Sequence, residues 1–268
     1  MCSRFRRLLA AALAAACTAA AAADPPRELR VCADPDNLPY SRADGTGFEL
    51  RIAELVAADL HARVRYAWMP LRRGFVRKTL GAGLCDVIVG VPSDFERVLT
   101  TRPYYRSTYV FVTRGASGVR SFDDPRIGRV RVGVQLVGND LAATPPGYAL
   151  ASRGATANVT GFTVFGDGPA AERLVRAVAD GRLDVGLVWG PQAGFFARAA
   201  RLAVTKAAPP PELSRLPFAF SISMGVRRGD RALRDELDAV LERRRADIDA
   251  ILDDYAVPRM EAAGGGGR

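Results

Sequence analysis

Asp34 and Asp36 in one short loop, with Arg97 further on, come nearest to an acid–base set in this chain. Paired carboxylates do acid–base work when their surroundings drive their pKa values apart. Two acids within Asp34-Pro35-Asp36-Asn37-Leu38-Pro39-Tyr40 do not provide that by spacing alone. The single histidine, His61, falls near the end of a helical pattern, where a charged ring suits the helix dipole. No second histidine completes a transition-metal site, no acid spacing matches a calcium loop, and neither a Gly-x-Ser-x-Gly elbow nor a Walker loop occurs. No catalytic residue, metal or cofactor is therefore assigned.

What remains is binding chemistry. Open α/β sheets meet ligands at the loops beyond the carboxyl ends of their strands. In a first series of elements those loops are 34–40 and 92–95, and in a second they are 136–140 and 189–194. The candidate ligand or partner residues are Asp34, Asp36, Asn37, Tyr40, Ser93, Arg97, Gln135, Asn139, Asp140 and Trp189. The plain alternative is that loops rich in Gly, Pro, Asn and Asp only turn the chain. Trp189 offers a large apolar face and one donor, suited to an apolar ligand or a protein loop; the alternative is a core indole.

Alternating strand and helix patterns position these loops. Leu29–Ala33, Val64–Trp68 and Cys85–Val91 read as strands around a helix whose apolar face is Phe48, Ile52, Leu55, Val56 and Leu60. Thr46 and Glu49 have the spacing of a capping box at its start. Gly74–Leu80 reads as a second helix. A second series has strands at Arg131–Gln135, Thr160–Phe165, Leu183–Val188 and Leu202–Thr205, with helices within Val137–Ala151, over Ala170–Ala179 and after Pro191. Tyr109–Thr113 and Phe218–Val226, both rich in aromatic and β-branched residues, read as two crossing strands that bridge the series and form a hinge. A long helix capped by Asp230, with Leu233, Leu237, Leu241, Ile248, Leu252 and Tyr255 along one stripe, should dock on the first lobe. The expected fold is α/β: two lobes with mixed sheets, helices on both faces and a two-strand hinge. Residues 24–113 and 217–260 make the first lobe, 114–216 the second, and 261–268 a disordered tail.

Arg4, Arg6 and Arg7 precede an apolar, alanine-rich run that ends in Ala21-Ala22-Ala23, the pattern of a secretory leader over 1–23. A lipid anchor at Cys17 is the less favoured reading, because Leu13 sits one place too early. Loss of the leader removes three of 38 basic residues and none of 29 acids, lowering the formal charge from +9 to +6. The arginines are scattered among acids, which argues against nucleic-acid binding. Cys32 and Cys85 remain. If the first strand lies between the next two, the two cysteines are neighbours and an oxidising compartment pairs them; the alternative is two buried thiols. Beyond the leader nothing is apolar enough to span a bilayer.

Longer motifs carry a resemblance. They are Asn37-Leu38-Pro39-Tyr40, Arg72-Arg73-Gly74-Phe75-Val76-Arg77, Cys85–Pro92 and Thr101–Val112, then Val132–Gln135, Thr144-Pro145-Pro146, Val188–Pro191 and Leu216–Asp230. Over about residues 29–260 the chain resembles the quinoprotein-dehydrogenase-associated binding proteins, the MxaJ/XoxJ group within the type II periplasmic binding proteins. That resemblance implies a periplasmic two-lobed protein that assists maturation or activation of a pyrroloquinoline-quinone (PQQ) alcohol or methanol dehydrogenase. Its partners would be that enzyme and its c-type cytochrome. Amino-acid-binding relatives place an aspartate for the ligand ammonium where this chain has Trp189, which speaks against an α-amino acid. Arg97 is the nearest match to their carboxylate-binding arginine, Gln135 matches their second-lobe strand end, and Gly138, Asn139 and Asp140 replace a more usual Gly-Thr pair. The alternatives are an ABC-transporter receptor for a small non-amino-acid solute, such as a quinone cofactor, and an enzyme on the same fold.

Overall fold

The computed structural model describes residues 27–261, apart from 116–117, 138–140, 164 and 166–167. The expected leader, and the expected tail beyond its first residue, lie outside the described residues. The first series runs β1 (Glu28–Ala33), β2 (Asp36–Asn37), β3 (Ser41–Arg42), α1 (Phe48–Asp59), β4 (Arg63–Trp68), α2 (Phe75–Lys78), β5 (Val87–Pro92), β6 (Leu99–Thr100) and β7 (Tyr105–Thr113). The second comprises β8 (Val132–Val137), β9 (Ala142–Ala143), α3 (Pro145–Ser152), β10 (Val159–Phe162), α4 (Ala170–Ala179), β11 (Val185–Trp189), α5 (Gly190–Ala199) and β12 (Ala203–Lys206). The chain then returns through β13 (Ala219–Val226) to α6 (Arg231–Arg243) and α7 (Arg245–Asp254).

Hydrogen bonding is continuous in the order β4-β1-β5-β13-β7-β11-β8-β10. β1 lies between β4 and β5 and is parallel to both, as the alternating pattern expects. Val31 pairs with Val87 and Cys32 with Ile88, so Cys85, two residues upstream, comes within 5.4 Å of Cys32 (Cα–Cα), and the two form a disulfide. The lobes meet in β7 and β13. β7 pairs with β13 through Tyr105–Thr108 and with β11 through Tyr109–Thr113, while β13 pairs with β5 beyond Ile222. One half of each strand therefore belongs to a sheet and the other half to the bridge.

Apolar periodicity sets the packing. Phe48, Ile52, Ala53 and Val56 of α1 are fully buried against Val31, Val87 and Val89, and α6 and α7 add Leu237, Leu241, Ile248 and Leu252 to the same cluster. Each of these side chains larger than alanine contributes about 1.5–3 kcal/mol relative to an exposed one. In the second lobe, Leu174, Val175 and Val178 of α4 pack under Val110, Val112 and Val188. Asp230 caps α6 by accepting from Leu233 N at 3.3 Å.

Four expectations change. α2 is a single turn rather than a helix over 74–80. β10 starts and ends earlier than expected, at Val159–Phe162. The C-terminal helix breaks at Arg244 into α6 and α7, whose stripes both still face the first lobe. Thr46 and Glu49 form no capping box: the Thr46 hydroxyl donates to Asp44 Oδ1 at 2.6 Å, and Gly47 occupies the N-cap position with φ 138°. Only a glycine fits there, because a Cβ on Gly47 would lie 2.2 Å from Tyr40 O. Glu49 is thereby released for another place.

Candidate functional site

A cavity of about 510 Å³ opens where the two lobes face each other across the bridge. Its floor is aromatic: Trp189 packs edge-on against Tyr109 and Phe220, with ring centroids 5.3 and 5.6 Å away. These rings stand on the bridging strands and the end of β11, where β11–β7 pairing sets Trp189 opposite Tyr109. Apolar walls with a few placed polar groups are the usual make-up of a small-molecule cleft.

The second-lobe wall is a linked polar network. Gln135 Nε2 donates to Gln192 Oε1 at 2.9 Å, Trp189 N donates to Gln135 Oε1 at 2.9 Å, and the Thr144 hydroxyl donates to Gln135 O at 3.0 Å. β8, β11 and α5 bring these groups together because β8 and β11 run parallel, Leu187 beside Val134.

The first-lobe wall is different. Asp34, at the end of β1, accepts from Asp36 N at 2.9 Å and from Leu71 N at 2.5 Å, so its carboxylate organises two loops. Asn37 and Tyr40 follow it along the rim. Between them, from the first turn of α1, the Glu49 carboxyl reaches into the cavity over Gly90 of β5. A Cβ on Gly90 would sit 2.0 Å from Glu49 Oε1, so the bare backbone there is what makes room for the acid. Burial raises the Glu49 pKa to about 8, and no cation offsets it. Burial also holds the Tyr40, Tyr104 and Tyr105 phenols well above the usual tyrosine range, and it pushes Tyr109 up to about 12.

Of the residues expected in a site, Asp34, Asn37, Tyr40, Gln135 and Trp189 line this cavity. Asp36 is exposed on β2 and Arg97 is exposed beyond β5; neither lines it. The Ser93 hydroxyl is engaged with that of Ser223 at 2.7 Å, outside the lining. Asn139 and Asp140 lie outside the described residues. Glu49 and Gln192 were not anticipated. Gln192 sits two residues inside a helix whose start was legible, and Gly90 inside the apolar run Val87–Val91 marks a close approach without naming the residue that makes it.

The ammonium part of the case against an α-amino acid changes with Glu49, since a carboxylate is present in the cavity after all. The carboxylate part becomes stronger: no arginine, lysine or histidine is among the described residues lining the cavity. An α-carboxylate would be desolvated there without a partner, at a cost of several kcal/mol. Polyanionic PQQ would meet the same lack of a basic partner in this cavity.

Residues 29–257 match the model of the bacterial extracellular solute-binding proteins, family 3. Protein MoxJ of Methylorubrum extorquens is 35% identical over 257 residues, covering 86% of this chain and 81% of that protein. Protein MoxJ of Paracoccus denitrificans is 32% identical, covering 88% and 90%. The crystal structure of the periplasmic binding protein XoxJ from Methylobacterium extorquens AM1 superposes with a TM-score of 0.72 at 33% identity, over 87% of this chain and 100% of that one. The two-lobed framework, the bridging strands and these relatives agree: the chain belongs to the bacterial extracellular solute-binding proteins, family 3, and within it to the MxaJ/XoxJ type.

Proposed function

We propose that this is a non-catalytic periplasmic accessory protein that binds a PQQ-dependent alcohol or methanol dehydrogenase, or an immature form of it, and assists its maturation or activation. The observation that carries this reading is the cleft itself. Among its described lining residues it lacks the basic side chain that an amino-acid carboxylate requires, and it exposes apolar side chains at its mouth: Leu71 at 60% and Val137 at 47% line the cavity from opposite lobes. Exposed apolar residues flanking a cleft suit a protein segment better than a small polar solute. Residues 24–113 with 217–260 and residues 114–216 would move as two bodies about β7 and β13, changing how much of this mouth is offered. Asp36 and Arg97 on the first-lobe surface, and Asn139 and Asp140 after β8, would add a polar rim.

Trp189 is a poor site for a test, because it also packs both lobes together through Tyr109 and Phe220. Leu71→Asp leaves the core alone. Tagged protein isolated from its own periplasm at low and moderate salt should co-purify a quinoprotein dehydrogenase or its c-type cytochrome, and Leu71→Asp should lose it. Recovery of transporter subunits alone would contradict the proposal. It would favour a second reading, an ABC-transporter receptor for a small solute, which the 510 Å³ cavity supports.

A further inference from the structure

Of the two acids that line the cavity, Asp34 and Glu49, only Glu49 has a side chain that accepts no hydrogen bond from a described residue. Asp34 accepts two backbone N–H groups, Gln135 donates to Gln192 Oε1, and Thr144 donates to Gln135 O. The Tyr104 hydroxyl donates to Val89 O at 3.0 Å. Glu49 is half-buried and has no hydrogen bond or ion pair from its side chain to any described residue, and its carboxyl faces the cleft between the lobes. Removing a carboxylate from water without a partner is costly, and a chain under no other constraint would replace it by glutamine or leucine.

Its surroundings specify what would satisfy it. Tyr40, Tyr105, Tyr109, Trp189 and Phe220 give the cavity several aromatic faces, which attract a cation through the ring quadrupole. No arginine, lysine or histidine among the described lining residues competes for the acid or would welcome an anion. We infer that the cleft binds an organic cation that carries no carboxylate, with its positively charged nitrogen against Glu49 and its apolar part among the aromatic rings. The chemistry is that of an alkyl- or arylalkylammonium group, supplied by a free amine or by a lysine side chain of a partner. This inference does not depend on a dehydrogenase being that partner, and purified protein alone tests it.

Ionisation of Glu49 must accompany binding. The titratable and charged groups near it are Tyr40 from the rim, Tyr104 just before β7, Tyr105 at its start, and Asp34 on the same wall; β5 presents Gly90. The three phenols stay neutral through the physiological range, so the proton lost on binding is that of Glu49. With a free-state pKa of about 8, affinity for a non-titrating cation should fall about tenfold per pH unit below that value and level off above it.

The probes are benzyltrimethylammonium, benzylamine and the neutral analogue benzyl alcohol, with Nα-acetyl-lysine methylamide representing a partner's lysine. Calorimetry at pH 8.5 should give saturable binding of the two aryl cations and at least about thirtyfold weaker binding of the alcohol. Glu49→Gln should lose at least about thirtyfold for the cations, leave the alcohol unchanged and abolish the pH slope. Preference for benzylamine over the lysine analogue marks a free amine as the source, and the reverse marks a partner's lysine. Equal binding of cation and alcohol, an unaffected Glu49→Gln variant, or no cation binding at all would overturn the inference. If Glu49→Gln fails to fold, Gly90→Ala serves instead, because its Cβ would displace the movable end of Glu49.

Discussion

The two walls of one cleft treat their polar groups in opposite ways. On the second-lobe side Gln135, Gln192, Thr144 and the Trp189 backbone N–H are linked to one another, which engages both glutamine side-chain oxygens and leaves Gln192 Nε2 as a neutral donor. On the first-lobe side the backbone has been shaped to hold an acid with nothing opposite it: Gly47 turns the chain before α1, and Gly90 clears the space. A satisfied network stabilises and rigidifies. An unsatisfied buried acid costs stability, and proteins keep such strain where a ligand relieves it. The comparison assigns scaffolding to the second-lobe wall and recognition to the first.

The largest effect should come from disturbing the turn that aims the acid. Gly47→Ala places a Cβ against Tyr40 O at a φ that side chains rarely adopt, and should cost about 3 kcal/mol or more by chemical denaturation. The first-lobe wall should fail with it.

Glu49→Gln should act in the other direction, and with pH. The folded-state pKa of Glu49 is raised above its unfolded value, so the folded chain is penalised once pH exceeds the ordinary carboxylate range; the penalty grows up to about pH 8 and then levels off. The variant should match the parent near pH 4 and exceed it above pH 8, by about 2 kcal/mol after allowance for water in the cavity. A constant difference across pH would mean that the acid is not buried as described.

On the opposite wall, Gln135→Leu should cost about 1–2 kcal/mol at every pH, because it strands the Trp189 N–H and the Gln192 carbonyl. Leu71→Asp, on the exposed mouth, should change stability by less than about 0.5 kcal/mol while abolishing partner capture.

The same contrast explains what could be read from the chain before folding. The β1 position between β4 and β5, the Cys32–Cys85 pair, the bridging strands and the Asp230 cap all follow from local composition and short-range rules of topology. Asp34, Asn37, Tyr40, Gln135 and Trp189 were legible because they lie at strand ends, where open sheets place their clefts. Glu49 was not. Thr46-x-x-Glu49 fits a capping box, but the Thr46 hydroxyl bonds Asp44 and Gly47 takes the N-cap, and the space that receives the Glu49 carboxyl is left by Gly90, 41 residues away, which no local pattern records. Arg97, matched by its place after the third strand, is exposed and lies outside the cavity lining. The break at Arg244 falls among good helix formers, without glycine or proline, and so had no marker.

The most direct measurement is the titration of Glu49 itself, followed by carboxyl carbon NMR in the free protein and with saturating benzyltrimethylammonium, with Glu49→Gln identifying the signal. An acid held open for a cation should titrate near pH 8 when free and at least one unit lower when the cation is bound. Titration in the ordinary glutamate range in the free protein, or a value near 8 that the cation leaves unmoved, would contradict the assignment of this wall to recognition.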